Sequence, residues 1–273
     1  MAAALRQAVV RAIVPDGMLQ AHSWLWNYLW VAPNLFLLAL AALVCRRGLW
    51  RQCPAFVAFA IFSSLGQLAV FAADVIPPVS PETYWRIDWI SILTESMLKF
   101  LVFGEVIARV FNPYSTIRKL GQVSVSAVGG LLVLAAVLAA ALGNGDSPLR
   151  LISGAHLLEQ TVFLIESGLI VFLFAFAAYF RLPWNRVSFG VLLGMGISSC
   201  EHLANWAITA NAGPSSHGRV LLAFLNMATY HAAVLIWICY LLIPGKVVAK
   251  SAVPLPEHNL DVWNRELERL LQQ

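Results

Sequence analysis

Residues 187–210 read VSFGVLLGMGISSCEHLANWAITA, and in these 24 positions the only ionisable side chains of strong character are the neighbours Glu201 and His202. A helix on the surface of a water-soluble domain keeps one face charged. This stretch has no such face, and about 20 apolar residues suffice to cross the hydrocarbon core of a bilayer. The run is therefore a membrane span, bounded by the polar connections RLPWNR (181–186) and NAGPSSHGR (211–219).

Moving outward, the rest of the chain follows the same pattern. Of 273 residues, 60% are hydrophobic and 12% charged, with a mean hydropathy of +0.75. Soluble domains carry roughly 25% charged residues, so most of this chain has no face turned to water. The reading is all-α: a polytopic membrane protein built as a seven-transmembrane-helix bundle. Pro, Gly and charge divide it into spans near 24–44, 55–73, 87–111, 123–142, 155–180, 187–210 and 220–243. A segment 1–23 precedes this domain, and a linker and tail, 244–273, follow it. Every connection is too short to hold a soluble domain.

Orientation follows from Lys and Arg. Twelve of the 18 flank one set of span ends and the tail, five flank the other set, and Lys99 lies within a span. The bias predicts the N-terminus outside and the C-terminus in the cytoplasm, in a multi-pass protein of the inner membrane. Arg6 and Arg11 interrupt the apolar residues of the first segment, so it reads as an external amphipathic helix and not as a signal peptide. In the tail, EHNLDVWNRELERLLQQ (257–273) sets Leu260, Trp263, Leu267, Leu270 and Leu271 on one helical stripe. Such a helix either lies on the inner leaflet or docks a cytoplasmic partner.

An ionisable residue at mid-membrane costs about 2.5–3.5 kcal/mol on insertion scales and usually faces the bundle interior. Glu95, Lys99, Glu166, Glu201, His202 and His231 come from the third, fifth, sixth and seventh spans. At 1.5 Å per residue they fall within roughly 6 Å of one depth. Ser91, Glu159, Ser198, Asn205, Asn226 and Tyr230 continue the same polar stripes. This layer is the candidate ligand or proton site. One lysine cannot compensate three ionised glutamates in low dielectric, so at least one glutamate is expected to be protonated.

The same residues exclude several chemistries. The seventh span has no lysine for a retinal Schiff base, and neither D-R-Y nor N-P-x-x-Y occurs where animal seven-helix receptors carry them. His156 stands about 15 Å above His202 along the helices, too far for a shared zinc. Haem between His202 and His231 remains geometrically open, but no cofactor and no metal is expected. No basic run or glycine-rich loop points to nucleic acid or nucleotides. Cys45, Cys53, Cys200 and Cys239 have no metal-ligand spacing and read as two loop thiols followed by two buried fillers.

RQCP (51–54), Glu105 followed by VFNPY (110–114), and FGVLLGMG (189–196) resemble a group of bacterial seven-helix inner-membrane proteins with no established activity. That resemblance implies architecture and bacterial origin only. The expected function is a small sensory or receptor-like membrane protein that binds a small molecule or lipid between the third, fifth, sixth and seventh helices. A proton-linked transporter or relay is the main alternative. A membrane-embedded enzyme and a scaffold subunit without ligand stand further off.

Overall fold

The computed structural model describes residue 20, residues 22–76, 79–112, 114–142, 147–179, 185–212 and 216–243, and residues 265, 268 and 269. Within the helices, most side chains of 132–159 and of 209–219 are outside the description. The amphipathic readings of the first segment and of most of the tail therefore lie outside the described residues.

Seven long helices make up the rest: α1 (Trp24–Arg46), α2 (Pro54–Val75), α3 (Pro81–Val110), α4 (Ser115–Leu142), α5 (Ser147–Tyr179), α6 (Arg186–Ala212) and α7 (Ser216–Leu242). A 3-10 turn, Leu49–Arg51, joins α1 to α2. No strand occurs among the described residues. Each helix covers one apolar run of the sequence and extends past it, because hydrogen-bonded turns continue where the apolar composition stops.

Five helices contain stretches long and apolar enough to cross a membrane: Trp24–Arg46, Pro54–Val75, Gln160–Tyr179, Arg186–Ile208 and Val220–Leu242. The protein is thus a helical, membrane-type bundle. α3 has the length, at 30 residues, but spreads Glu95, Lys99, Glu105 and Arg109 through its second half. α4 exposes Leu120, Val123, Val128, Leu131, Leu134 and Leu138, a largely apolar outer face that also carries Ser124.

Local chemistry fixes the helix ends. Ser23 caps α1 by accepting the Trp26 N–H (3.3 Å), and Ser80 caps α3 by accepting that of Thr83 (3.2 Å), with Pro81 in the first turn. After α1 the chain turns through Gly48 at φ 69°, the left-handed geometry that glycine adopts without a Cβ penalty. α2 has no cap of its own. Its first turn is completed by Glu105 of α3, whose Oε2 accepts the Ala55 N–H at 2.6 Å while Arg109 holds Oε1 at 2.5 Å.

Each helix packs on its chain neighbour, α3 also packs directly on α5, and α7 closes the circle against α1. After six reversals, an even number, α1 and α7 run parallel, as the pairs Trp26–Phe224, Asn34–Tyr230 and Arg47–Leu242 show. The α3–α5 contact leaves α4 outside a six-helix ring. Leu37, Leu40, Phe56, Phe103, Leu192 and Trp237 form the centre of the core, all nearly inaccessible.

Candidate functional site

The six-helix ring is not filled along its whole length. Towards the N-terminal ends of α1, α3, α5 and α7 it leaves a partly open cavity of about 290 Å³. α1 contributes Trp26, Trp30 and Asn34, and α2 contributes Phe59, Ser63 and Gln67. Glu95, Ser96 and Lys99 stand on α3, Phe163 and Glu166 on α5, Ser198 and His202 on α6, and Asn226, Tyr230 and Trp237 on α7. The i, i+4 spacing of Glu95 and Lys99, and of Ser198 and His202, puts each pair on one helical face.

At the floor of the cavity lies an ion triad. Lys99 Nζ is 3.1 Å from Glu95 Oε1 and 3.6 Å from Glu166 Oε2, which joins α3 to α5. Glu95 Oε2 accepts the Ser63 hydroxyl hydrogen at 3.0 Å, which ties α2 to the same group. The ammonium also sits 4.3 Å from the centre of the Phe163 ring, a cation–π contact. Glu166 is only 2% exposed, yet its Oε2 accepts no hydrogen bond among the described residues.

His202 stacks on Phe163 with ring centres 4.0 Å apart and an interplanar angle of 24°. Its Nδ1 lies 2.9 Å from the Ser198 carbonyl oxygen. A carbonyl only accepts, so Nδ1 carries the hydrogen of this contact. Across the cavity the Tyr230 hydroxyl donates to Asn34 Oδ1 (3.4 Å), while the Asn34 amide donates back to the Trp30 carbonyl (2.7 Å). Asn34 follows Pro33 inside α1, where the proline removes one backbone donor from the helix.

The structure brings seven of the sequence candidates to the cavity wall: Glu95, Lys99, Glu166, Ser198, His202, Asn226 and Tyr230. It does not bring Glu201 there. One residue further along α6 turns a side chain by about 100°, and both Glu201 carboxylate oxygens are buried away from the cavity without a hydrogen-bond partner among the described residues. Oε2 comes within 3.5 Å of His202 Nδ1, but that nitrogen is already directed at the Ser198 carbonyl. His231 also stands apart, packed between Tyr28 and Phe36 of α1 at 5.8 and 5.7 Å. Equal depth did not mean equal facing, and His202 and His231 share no space in which a haem would sit.

Ser91 lies against α2 at a close helix approach, where a Cβ on Gly66 would meet its Oγ at 2.9 Å. Asn205 is off the cavity wall, and the Glu159 side chain is outside the described residues. Among the described residues no group of three or more His, Cys, Asp or Glu is placed to hold a metal ion. The cysteines are arranged otherwise than their sequence setting suggests: Cys53 is buried, while Cys200 and Cys239 are exposed on helix surfaces. Both stand on the side of their helix opposite the polar stripe, Cys200 facing away from Ser198 and His202 and Cys239 away from Tyr230.

Asn34, Ser63, Gln67 and Ser96 are site residues that a search for charge alone passes over. Ser63 and Gln67 stand four apart in α2, and Asn34 lies in a mostly apolar α1 seven residues after Asn27, so a search for uncharged polar stripes finds them. Comparison of the chain with protein-family models, with characterised proteins and with solved structures finds no match.

Proposed function

We propose that this chain is a seven-span protein of the inner membrane, N-terminus outside and C-terminus in the cytoplasm, that binds a small molecule in the six-helix cavity and acts as a small sensory or receptor-like protein. The observation that carries the reading is the cavity itself: a partly open space within the bundle whose wall holds an ion triad and six aromatic rings. Ligand pockets are mostly apolar with a few placed polar groups and run to roughly 300–1,000 Å³, and this one, about 290 Å³, sits at the small end.

The seven-span topology is supported by α3, whose charges Glu95 and Lys99 turn to the cavity and pair there instead of facing lipid. It is supported also by the largely apolar outer face of α4. The orientation rests on the twelve-to-five distribution of Lys and Arg. The signalling part of the reading draws on the tail, which touches the bundle where the Thr116 hydroxyl at the start of α4 donates to Glu268 (3.0 Å).

The test is ligand-induced stabilisation of the purified protein by a panel of small amines, acids and alcohols. A binder should raise the unfolding midpoint of the parent and fail to do so in Ala223→Phe, which fills the cavity with a ring. Equal shifts in both proteins would contradict the assignment. The proton-relay reading draws on one specific observation, the carboxylate–ammonium–carboxylate chain of Glu95, Lys99 and Glu166. It requires proton uptake by proteoliposomes that Glu166→Gln abolishes.

A further inference from the structure

We infer that the cavity takes a small organic cation, a protonated amine or quaternary ammonium group carried on a compact apolar body. The inference rests on the ligand-site reading above and assigns the chemistry of that site.

Charge comes first. Two carboxylates, Glu95 and Glu166, face the cavity against the single ammonium of Lys99. The wall therefore offers two carboxyl groups to one ammonium, in a setting of low dielectric where a second cation would complete the pairing. Lys99 leans towards Glu95, at 3.1 Å against 3.6 Å, so the buried Glu166 carboxylate is the less closely held of the two. It is the group that a second charged N–H donor entering the cavity would reach for. An anionic ligand would meet two carboxyl groups here, and a neutral one would leave them sharing a single ammonium.

The rings supply the rest. Trp26, Trp30, Phe59, Phe163, Tyr230 and Trp237 line the space, and ring faces attract cations, Trp most strongly. Phe163 already holds the Lys99 ammonium at 4.3 Å, so a cation–π contact at this depth is present within the protein itself. The volume limits the enclosed part of the ligand to something of single-ring or short-chain size.

The experiment compares probes that share a body and differ in charge. Phenethylamine, 2-phenylethanol and phenylacetate, with choline as a quaternary ion, are titrated against the detergent-purified full chain while the unfolding midpoint is followed. Phenethylamine and choline should raise the midpoint by several degrees, 2-phenylethanol by less, and phenylacetate not at all. Glu95→Gln should raise the half-maximal amine concentration by at least about tenfold, one decade corresponding to the loss of one charge-assisted contact. Should that variant not fold, Trp30→Leu keeps both carboxylates and should weaken the choline response more than the phenylethanol response. If phenylacetate or 2-phenylethanol stabilises as well as phenethylamine, or if Glu95→Gln keeps the full amine response, the cation assignment is overturned while the ligand site stands. No shift with any of the four probes would overturn the cation assignment and the ligand site together.

Discussion

The two ends of this bundle are built by different rules. Around the C-terminal ends of α1, α3 and α7 the helices pack closely. A Cβ on Gly190 would run into Tyr240, and one on Gly194 into Trp237 Nε1, so α6 and α7 touch there with no room for a methyl group. Arg47 and Arg186 donate to the Leu242 and Cys239 carbonyls, closing the last turn of α7 from two neighbouring helices. The opposite half holds the cavity and, among the described residues, buried polar atoms without hydrogen-bond partners such as Trp26 Nε1 and Asn27 Oδ1. A bundle that packs tightly at one end and holds a cavity at the other separates stability from binding along its own axis.

The largest effect should come where the two halves meet. Lys99→Gln removes the cation from two carboxylates at once, and breaking a buried pair in this way costs about 3–5 kcal/mol. Yield and thermal stability of folded protein should fall sharply. Adding Glu95→Gln should recover much of the loss, and a double variant as damaged as the two single changes summed would show that the pair is uncoupled.

Gly190→Ala tests the packed half alone. Overpacking typically costs about 1–3 kcal/mol, and here the new methyl group would run into the Cβ of Tyr240, which lies off the cavity wall. The expected result is lower thermal stability with the amine response retained; loss of that response at unchanged stability would join the two halves after all.

Removing residues 254–273 should cost no more than about 1 kcal/mol, the usual net value of a hydrogen bond such as the one between Thr116 and Glu268. Unfolding of the truncated protein in mild detergent would make the tail part of the core.

The smallest effect concerns Cys53, at the start of α2. Burial, and next the Glu105 carboxylate, push its thiol from an ordinary 9.0 up to about 11. The neutral form is favoured by the fold, so this contribution is present below pH 9 and is lost as pH climbs through about 11. At neutral pH a thiol reagent should modify exposed Cys45 and leave Cys53 intact. Rapid labelling of Cys53 would show that the α1–α2 turn opens.

Much of the architecture is legible in the sequence because a membrane helix declares itself by length and apolarity, and seven runs became seven helices. Facing is harder to read. Glu95, Lys99 and Glu166 were found because a charge in such a segment has few acceptable directions. Glu201 and His231 share their depth but not their direction, and rotation about each helix axis is set by packing partners such as Gly194 and Trp237, which no single helix reveals. The stretches that carry the family resemblance point the same way. Cys53 and Pro54 open α2, Glu105 caps it, Phe111 closes α3, and Gly190 and Gly194 receive α7. All of them lie at the packed end, so the resemblance speaks to how the bundle closes and is silent about what the cavity holds.

Two adjacent serines test the central claim most directly. Ser198 lines the cavity, whereas Ser199, one residue further on, is fully buried against neighbouring helices. With Cys45, Cys200 and Cys239 replaced by alanine, Ser198→Cys and Ser199→Cys are each exposed to a small water-soluble methanethiosulfonate reagent. An internal cavity that takes ligand predicts modification of Ser198→Cys, slowed by phenethylamine, and none of Ser199→Cys. Equal rates at the two positions, or modification of neither, would contradict it.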